Sequence, residues 1–223
     1  MTVQAREVIE EGRQKIASLE MRIREHPYIQ ALEARRVDRE KLAIFAGQQR
    51  HIIESDLRSV GLIVARSESQ ATRDFFMGML QGERAALEAL GAFGRAVGLP
   101  DDRARAAEPL PGAFAYSAYV AWLALYGSMA EFAGAFLVNL EAWGANCGRM
   151  SRALRDLYGL TGADVAFFDL FALTPPGFEE RGIAVVEEGL AQGVDPGRIH
   201  RAARMLQGYE LLYWDTILQT MEA

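Results

Sequence analysis

A single cysteine, Cys147, stands in a chain of 223 residues. That excludes an intrachain disulfide and a four-cysteine metal site. Histidine is nearly as scarce, with three, His26, His51 and His200. A dimetal site in a helical bundle needs inward carboxylates with Glu-x-x-His pairs on several helices, and this inventory is thin for it. Dense runs of lysine and arginine are missing too. With a formal charge of -6 and a pI near 5.2, the chain lacks the basic footprint of a phosphate-backbone binder, so nucleic acid is not an expected partner. The N-terminal stretch MTVQAREVIEEGRQK is polar and charged, with no apolar core of signal-peptide type, so the expected location is cytoplasmic. Strand-like alternation of useful length and internal repeats are also lacking.

What is present is the balance of a globular protein, 50% hydrophobic and 24% charged, long enough for one substantial core and read as a single domain over 1–223. One segment needs separate treatment. From Pro109 to Ala130 the chain carries no charge for 22 residues, about the length that spans a bilayer. It is rich in Ala, Gly, Ser and Tyr, however, and Glu108 and Glu131 bracket it in place of basic flanks. A buried central helix is expected, and no membrane.

Helical periodicity runs almost throughout, and the fold class is all-α. Val3 to Glu25 reads as an amphipathic first helix, with Val8, Ile9, Ile16, Leu19 and Ile23 recurring on one face. A short helical turn follows in HPYIQALEAR. Asp38 caps a helix to about Arg66, and Ser69 another to about Val97. LPDDRARAAEPLPG, residues 99–112, is the longest break. After the uncharged helix comes a run from Met129 to about Tyr158, which Gly144 and Gly148 are expected to bend. DVAFFDLF, then a helix over about Glu179 to Gln192, then a last helix from the Asp195–Pro196 pair to about Glu222 complete the chain.

Function is sought among polar residues centred on apolar helix faces, because such residues destabilise a core unless they are satisfied. Glu210 lies among Leu206, Tyr213, Trp214 and Ile217, whereas Asp215 projects to the opposite, solvent side. Gln49 shares a face with Leu42, Phe45, Ile52, Ile53, Val60 and Asp56, while His51 and Glu54 point away. Asn139 and Asn146 lie with Phe132, Phe136, Trp143 and Met150. Tyr116, Tyr119 and Tyr126 follow one face of the uncharged helix. Each Asn, Gln or Tyr is most simply a core group bonded to a neighbouring helix. A carboxylate is almost never buried without a partner, so Glu210 is either half of an ion pair or a pocket acid. Together these residues describe a bundle around a polar, aromatic-lined cavity suited to a small, flat ligand.

HPYIQALEARRVDREKLAIFAGQQ resembles the HPF(V)…L…G.L….F..Y..QD segment of the TenA/thiaminase II and PQQ-synthesis protein C group. AYSAYV is similar to its A-Y-T-S-Y-M segment and YELLYWDTI to its Y-E-x-x-F-W-D-M-A ending. The resemblance implies a heme-oxygenase-like helical bundle, a small-molecule ligand in a central cavity, no cofactor and a homo-oligomer. It places the family's catalytic glutamate on Glu210, its substrate-contacting tyrosine on Tyr119 and a further aromatic on Trp143, and its tyrosine near the penultimate helix on Phe171. Two charges are changed: the ring-holding aspartate falls on Gln49, and the nucleophilic cysteine on Asn139. Cys147 lies eight residues further along, roughly 12 Å and ~80° round a helix, and cannot take that place. Three functions follow. The first is an altered TenA/PqqC-type enzyme acting on a nitrogen heterocycle or a thiamin-related compound, with Glu210 as general acid or base. The second is a non-catalytic binding or regulatory relative that kept the pocket. The third, a metal-dependent oxygenase on the same fold, is disfavoured by the histidine count, and no metal site is expected.

Overall fold

The computed structural model describes residues 4–221, and among these every regular element is helical. In chain order they are α1 (Ala5–Arg24), α2 (Pro27–Glu33), α3 (Arg39–Arg66), α4 (Gln70–Ala96), α5 (Asp101–Ala106), α6 (Pro111–Tyr126), α7 (Met129–Tyr158), α8 (Ala166–Ala172), α9 (Phe178–Ala191) and α10 (Pro196–Gln219). The boundaries follow local chemistry. The Ser69 hydroxyl accepts from the Thr72 N–H at the start of α4, and the Asp195 carboxylate accepts from the Gly197 N–H at the start of α10. Asp38 stands in extended backbone before α3 but makes no side-chain cap bond. Gly159, at φ 68°, ends α7 in the left-handed conformation that a Cβ would oppose. The expected start at Val3 and end at Glu222 lie outside the described residues.

Three expectations need correction. The break at 99–112 contains α5, whose first turn carries Asp101 and Asp102 where the helix dipole favours them. The uncharged helix ends where the next run was expected to begin, the chain turning at Gly127 and restarting at Ser128. There Ser128 Oγ accepts from the Glu131 N–H, and Glu131 reaches back to the Ser128 N–H. Nor is α6 buried throughout: Trp122, Leu125 and Tyr126 are 49%, 55% and 68% exposed. Finally, α7 runs unbroken past Gly144 and Gly148. No helix among the described residues is long and apolar enough to cross a membrane.

α10 packs against α1, α6 and α7, α3 against α4 and α6, and α7 against α8 and α9. Two apolar clusters result. One gathers Tyr28, Phe45, Phe93, Trp143, Phe168, Tyr213 and Trp214, and the other Val60, Phe76, Phe132, Phe136, Val186 and Leu206. Each fully buried side chain of this size stabilises the fold by about 1.5–3 kcal/mol relative to exposure. His26 ties the outer turn to this frame. Its Nδ1 accepts from the Tyr28 N–H, and Nε2 bonds Asp215 Oδ1 at 3.1 Å.

Candidate active site

Where the two clusters meet, α3, α4, α6, α7, α8 and α10 leave a narrow cavity with about 480 Å³ of unfilled space, counting the solvent at its mouth. Helical spacing explains who faces it. Gln49, Ile52, Ile53 and Asp56 repeat along one side of α3, and Phe136, Asn139, Leu140 and Trp143 along one side of α7. Glu210 and Tyr213 come from α10, Tyr116 from α6, Glu83 from α4 and Phe171 from α8.

Asn139 is the centre of the polar network. Its Nδ2 donates to Glu210 Oε2 at 2.6 Å and to Gln207 Oε1 at 3.1 Å, and its Oδ1 accepts from the Tyr116 hydroxyl at 2.8 Å. The second oxygen of Glu210 accepts from Trp214 Nε1 at 3.0 Å, one helical turn away. Glu210 is 2% exposed and has no arginine partner. Burial disfavours its anion and pushes its pKa up to about 8, against the opposing pull of the Trp214 and Asn139 hydrogen bonds.

Two more carboxyls face the same space. Burial holds Asp56 well above the usual carboxylate range, and the negative charge of Glu83 adds to the effect. Glu83 keeps part of its surface open while its carboxyl lies deep enough for burial to raise it to about 7. Asp56 Oδ1 and the Tyr213 hydroxyl are buried without hydrogen-bond partners. Gln49 reaches toward that hydroxyl but falls short of bonding geometry. The lining contains no lysine, arginine or histidine. Among the described residues no group of three His, Cys, Asp or Glu side chains is arranged to hold a metal ion. His51 Nε2 instead bonds the Ala107 carbonyl at 2.7 Å, Glu54 pairs with Arg50 at 2.8 Å, and His200 lies between Lys15 and the Val8 carbonyl.

Of the residues expected in a site, Glu210, Gln49, Asp56, Asn139, Trp143 and Phe171 are brought together. Tyr119 is not. It lies ~60° round the helix from Tyr116, stacks on Trp122 with centroids 5.8 Å apart and tilts against Tyr209 at 5.2 Å. Tyr116 supplies the phenol of the cavity. Asn146 is structural, donating from Nδ2 to the Ile23 carbonyl at 2.9 Å near the end of α1. Cys147 is fully buried outside the cavity lining, and burial pushes its thiol far up. Glu83 escaped the sequence reading, although the face test that singles out Glu210 also sets Glu83 between Phe76, Met79, Ala86 and Leu90.

The structure is an all-helical bundle around a narrow, carboxylate-lined cavity, and solved structures share its fold. A TenA homologue from P. horikoshii superposes with TM-score 0.78 at 16% identity, covering 95% of this chain and 98% of that one. A protein of Silicibacter sp. described as a TenA family transcription regulator gives 0.76 at 13% identity, covering 95% and 96%. A domain of unknown function with a heme oxygenase-like fold from Shewanella denitrificans gives 0.72 at 16% identity, covering 94% and 89%. The chain belongs to the TENA/THI-4/PQQC family, whose model matches residues 13–169. No curated protein matches it significantly.

Proposed function

We propose that the protein is a small-molecule enzyme of TenA type that acts on a nitrogen heterocycle or thiamin-related compound, with Glu210 as general acid and base. One observation carries this reading: a carboxyl 2% exposed, aimed into a cavity, without a counter-cation and with a pKa raised to about 8. Such a group exchanges protons near neutral pH and is held in position by Asn139 and Trp214. Gln49, with Tyr116 and Tyr213, supplies donors and acceptors for ring nitrogens, and Trp143 and Phe171 supply flat walls. With an asparagine at 139 and an inert Cys147, the chemistry is proton transfer, not thiolate attack. The reading has the protein act in the cytoplasm as a homo-oligomer.

Glu210→Gln tests it. The variant is expected to fold, to bind heterocyclic amines within roughly tenfold of the wild type, about 1.4 kcal/mol, and to lose turnover. Turnover at the wild-type rate would remove Glu210 from the chemistry. The second reading, a ligand-binding regulator, draws on the relative described as a transcription regulator and on the absent thiol. Saturable binding with no turnover by the wild type across a panel of heterocyclic amines, read by mass spectrometry, would favour it.

A further inference from the structure

The cavity does not end at Glu83. A second, larger hollow of about 1130 Å³, solvent at its mouth included, shares Glu83, Phe136, Leu140 and Phe171 with the first. Its walls are mostly apolar, with Phe75, Met79 and Ala86 from α4, Leu170 from α8, and Leu173, Pro175 and Phe178 around the start of α9. Leu173, at 77% exposure, and Leu170, at 46%, present their side chains to water along this groove. Gly78 and Gly82, one helical turn apart on α4, line it as well, and a Cβ built on either meets nothing within 4 Å. Two glycines with empty space above them keep open a trough that ordinary side chains would fill.

The junction between the two spaces is acidic, and the one cationic side chain along either lining is Arg181, which lies in the outer groove. Asp56 is 3% exposed and lines the inner cavity with Oδ1 unpartnered, Glu83 lines both spaces, and no cationic side chain lines the inner one. A buried carboxyl oxygen without a partner costs stability unless something else satisfies it. The group that fits is a cation carrying N–H donors, which would pair with both carboxyls.

Resting on the reading of the inner cavity as a ligand site, we infer that the ligand is elongated and amphipathic. A cationic nitrogen group sits against Asp56 and Glu83, and an apolar arm runs out along the trough at Gly78 and Gly82. Ring-stacking walls hold the polar end near Glu210, and the groove binds the arm by burial alone.

The test uses the intact protein and a series of n-alkylguanidines from methyl to octyl, with alkanols and alkanoates of matched length, followed by calorimetry and tryptophan fluorescence. Wild-type affinity is expected to rise about fourfold per methylene until the groove is filled, the factor equivalent to ~0.8 kcal/mol. Guanidines should bind tightest at every length. A Cβ at either glycine meets nothing within 4 Å and leucine favours helix, so Gly78→Leu and Gly82→Leu are expected to fold. They should flatten the length dependence while leaving methylguanidine unchanged. Asp56→Asn should weaken every guanidine at least tenfold and leave the alkanols alone. A flat length series in the wild type, alkanoates binding as well as guanidines, or a slope that survives both leucines would each overturn the inference. A flat series with Glu210-dependent turnover intact would sink the elongated ligand and spare the proposed acid–base enzyme. A steep series with Glu210→Gln still turning over would do the reverse.

Discussion

A methyl group added to Gly144 would meet the Phe171 carbonyl oxygen at 2.6 Å. The missing side chain on α7 is therefore what lets α8 close down and lay the Phe171 ring across the cavity, edge-on to Trp143 with centroids 5.9 Å apart. The glycine that looked like a bend in a long helix is a docking notch.

Gly144→Ala should accordingly force α8 outward. Loss of about 1–3 kcal/mol is expected from the overpacking, read by chemical denaturation, with a change in Trp143 emission in the native state. A variant as stable as the wild type, with unchanged emission, would show that α8 yields freely and does not wall the cavity.

Stability should fall as pH rises. Glu210, Asp56 and Glu83 all bind their protons more tightly folded than unfolded, with Glu210 near 8 and Glu83 near 7. At these three carboxyls the native state holds more protons than the unfolded one, so their contribution to the unfolding free energy declines with pH, against an opposing contribution from His26, whose pKa burial lowers. The decline should start near the unfolded carboxyl pKa and, for Glu210, finish just above 8. Urea titrations from about pH 5 to about pH 8 should show it, and Glu210→Gln should reduce the slope without abolishing it, because Asp56 and Glu83 remain. A variant slope equal to that of the wild type would mean that Glu210 is ionised at neutral pH.

Cys147 should be silent. Fully buried and held in its thiol form, it has neither access nor anionic character. Aromatic disulfide reagents should modify it only after denaturant is added. Any turnover should also survive Cys147→Ser. Fast labelling of the native protein would contradict the placement of α7.

Removing the amide at the centre of the network should be costly. Asn139→Ala leaves Glu210 Oε2, Gln207 Oε1 and the Tyr116 hydroxyl without their shared partner. A loss of roughly 2–4 kcal/mol is expected. The Glu210 pKa should rise further, because a donor to its anion is gone. Denaturation and carboxyl-labelled NMR measure the two effects separately.

The sequence made the helices and most of the cavity legible because both depend on a period of 3.6 residues, which a face test reads directly. Glu210, Gln49, Asp56 and Asn139 were found in that way. Tyr119, which the resemblance placed at the site and the face test set beside Tyr116, falls outside it, because one face of a helix is wider than one cavity and ~60° separates the phenol in the site from the one tilted against Tyr209. The notch at Gly144 and the trough at Gly78 and Gly82 were beyond reach, because an empty space belongs to the helices on either side of it.

The triple engagement of Asn139 also bears on how this chain can change over evolutionary time. Its amide supports an acid, a phenol and a second amide at once. A single step to cysteine would place a thiol beside Glu210 while stranding three polar partners, so the intermediate is less stable than either end point. Drift at positions 116, 139, 207 and 210 is thereby coupled, and the chain is entrenched in its asparagine. Sulfur chemistry at this position would need those neighbours to change together, so Asn139→Cys alone should give a weakened protein without thiol-dependent turnover.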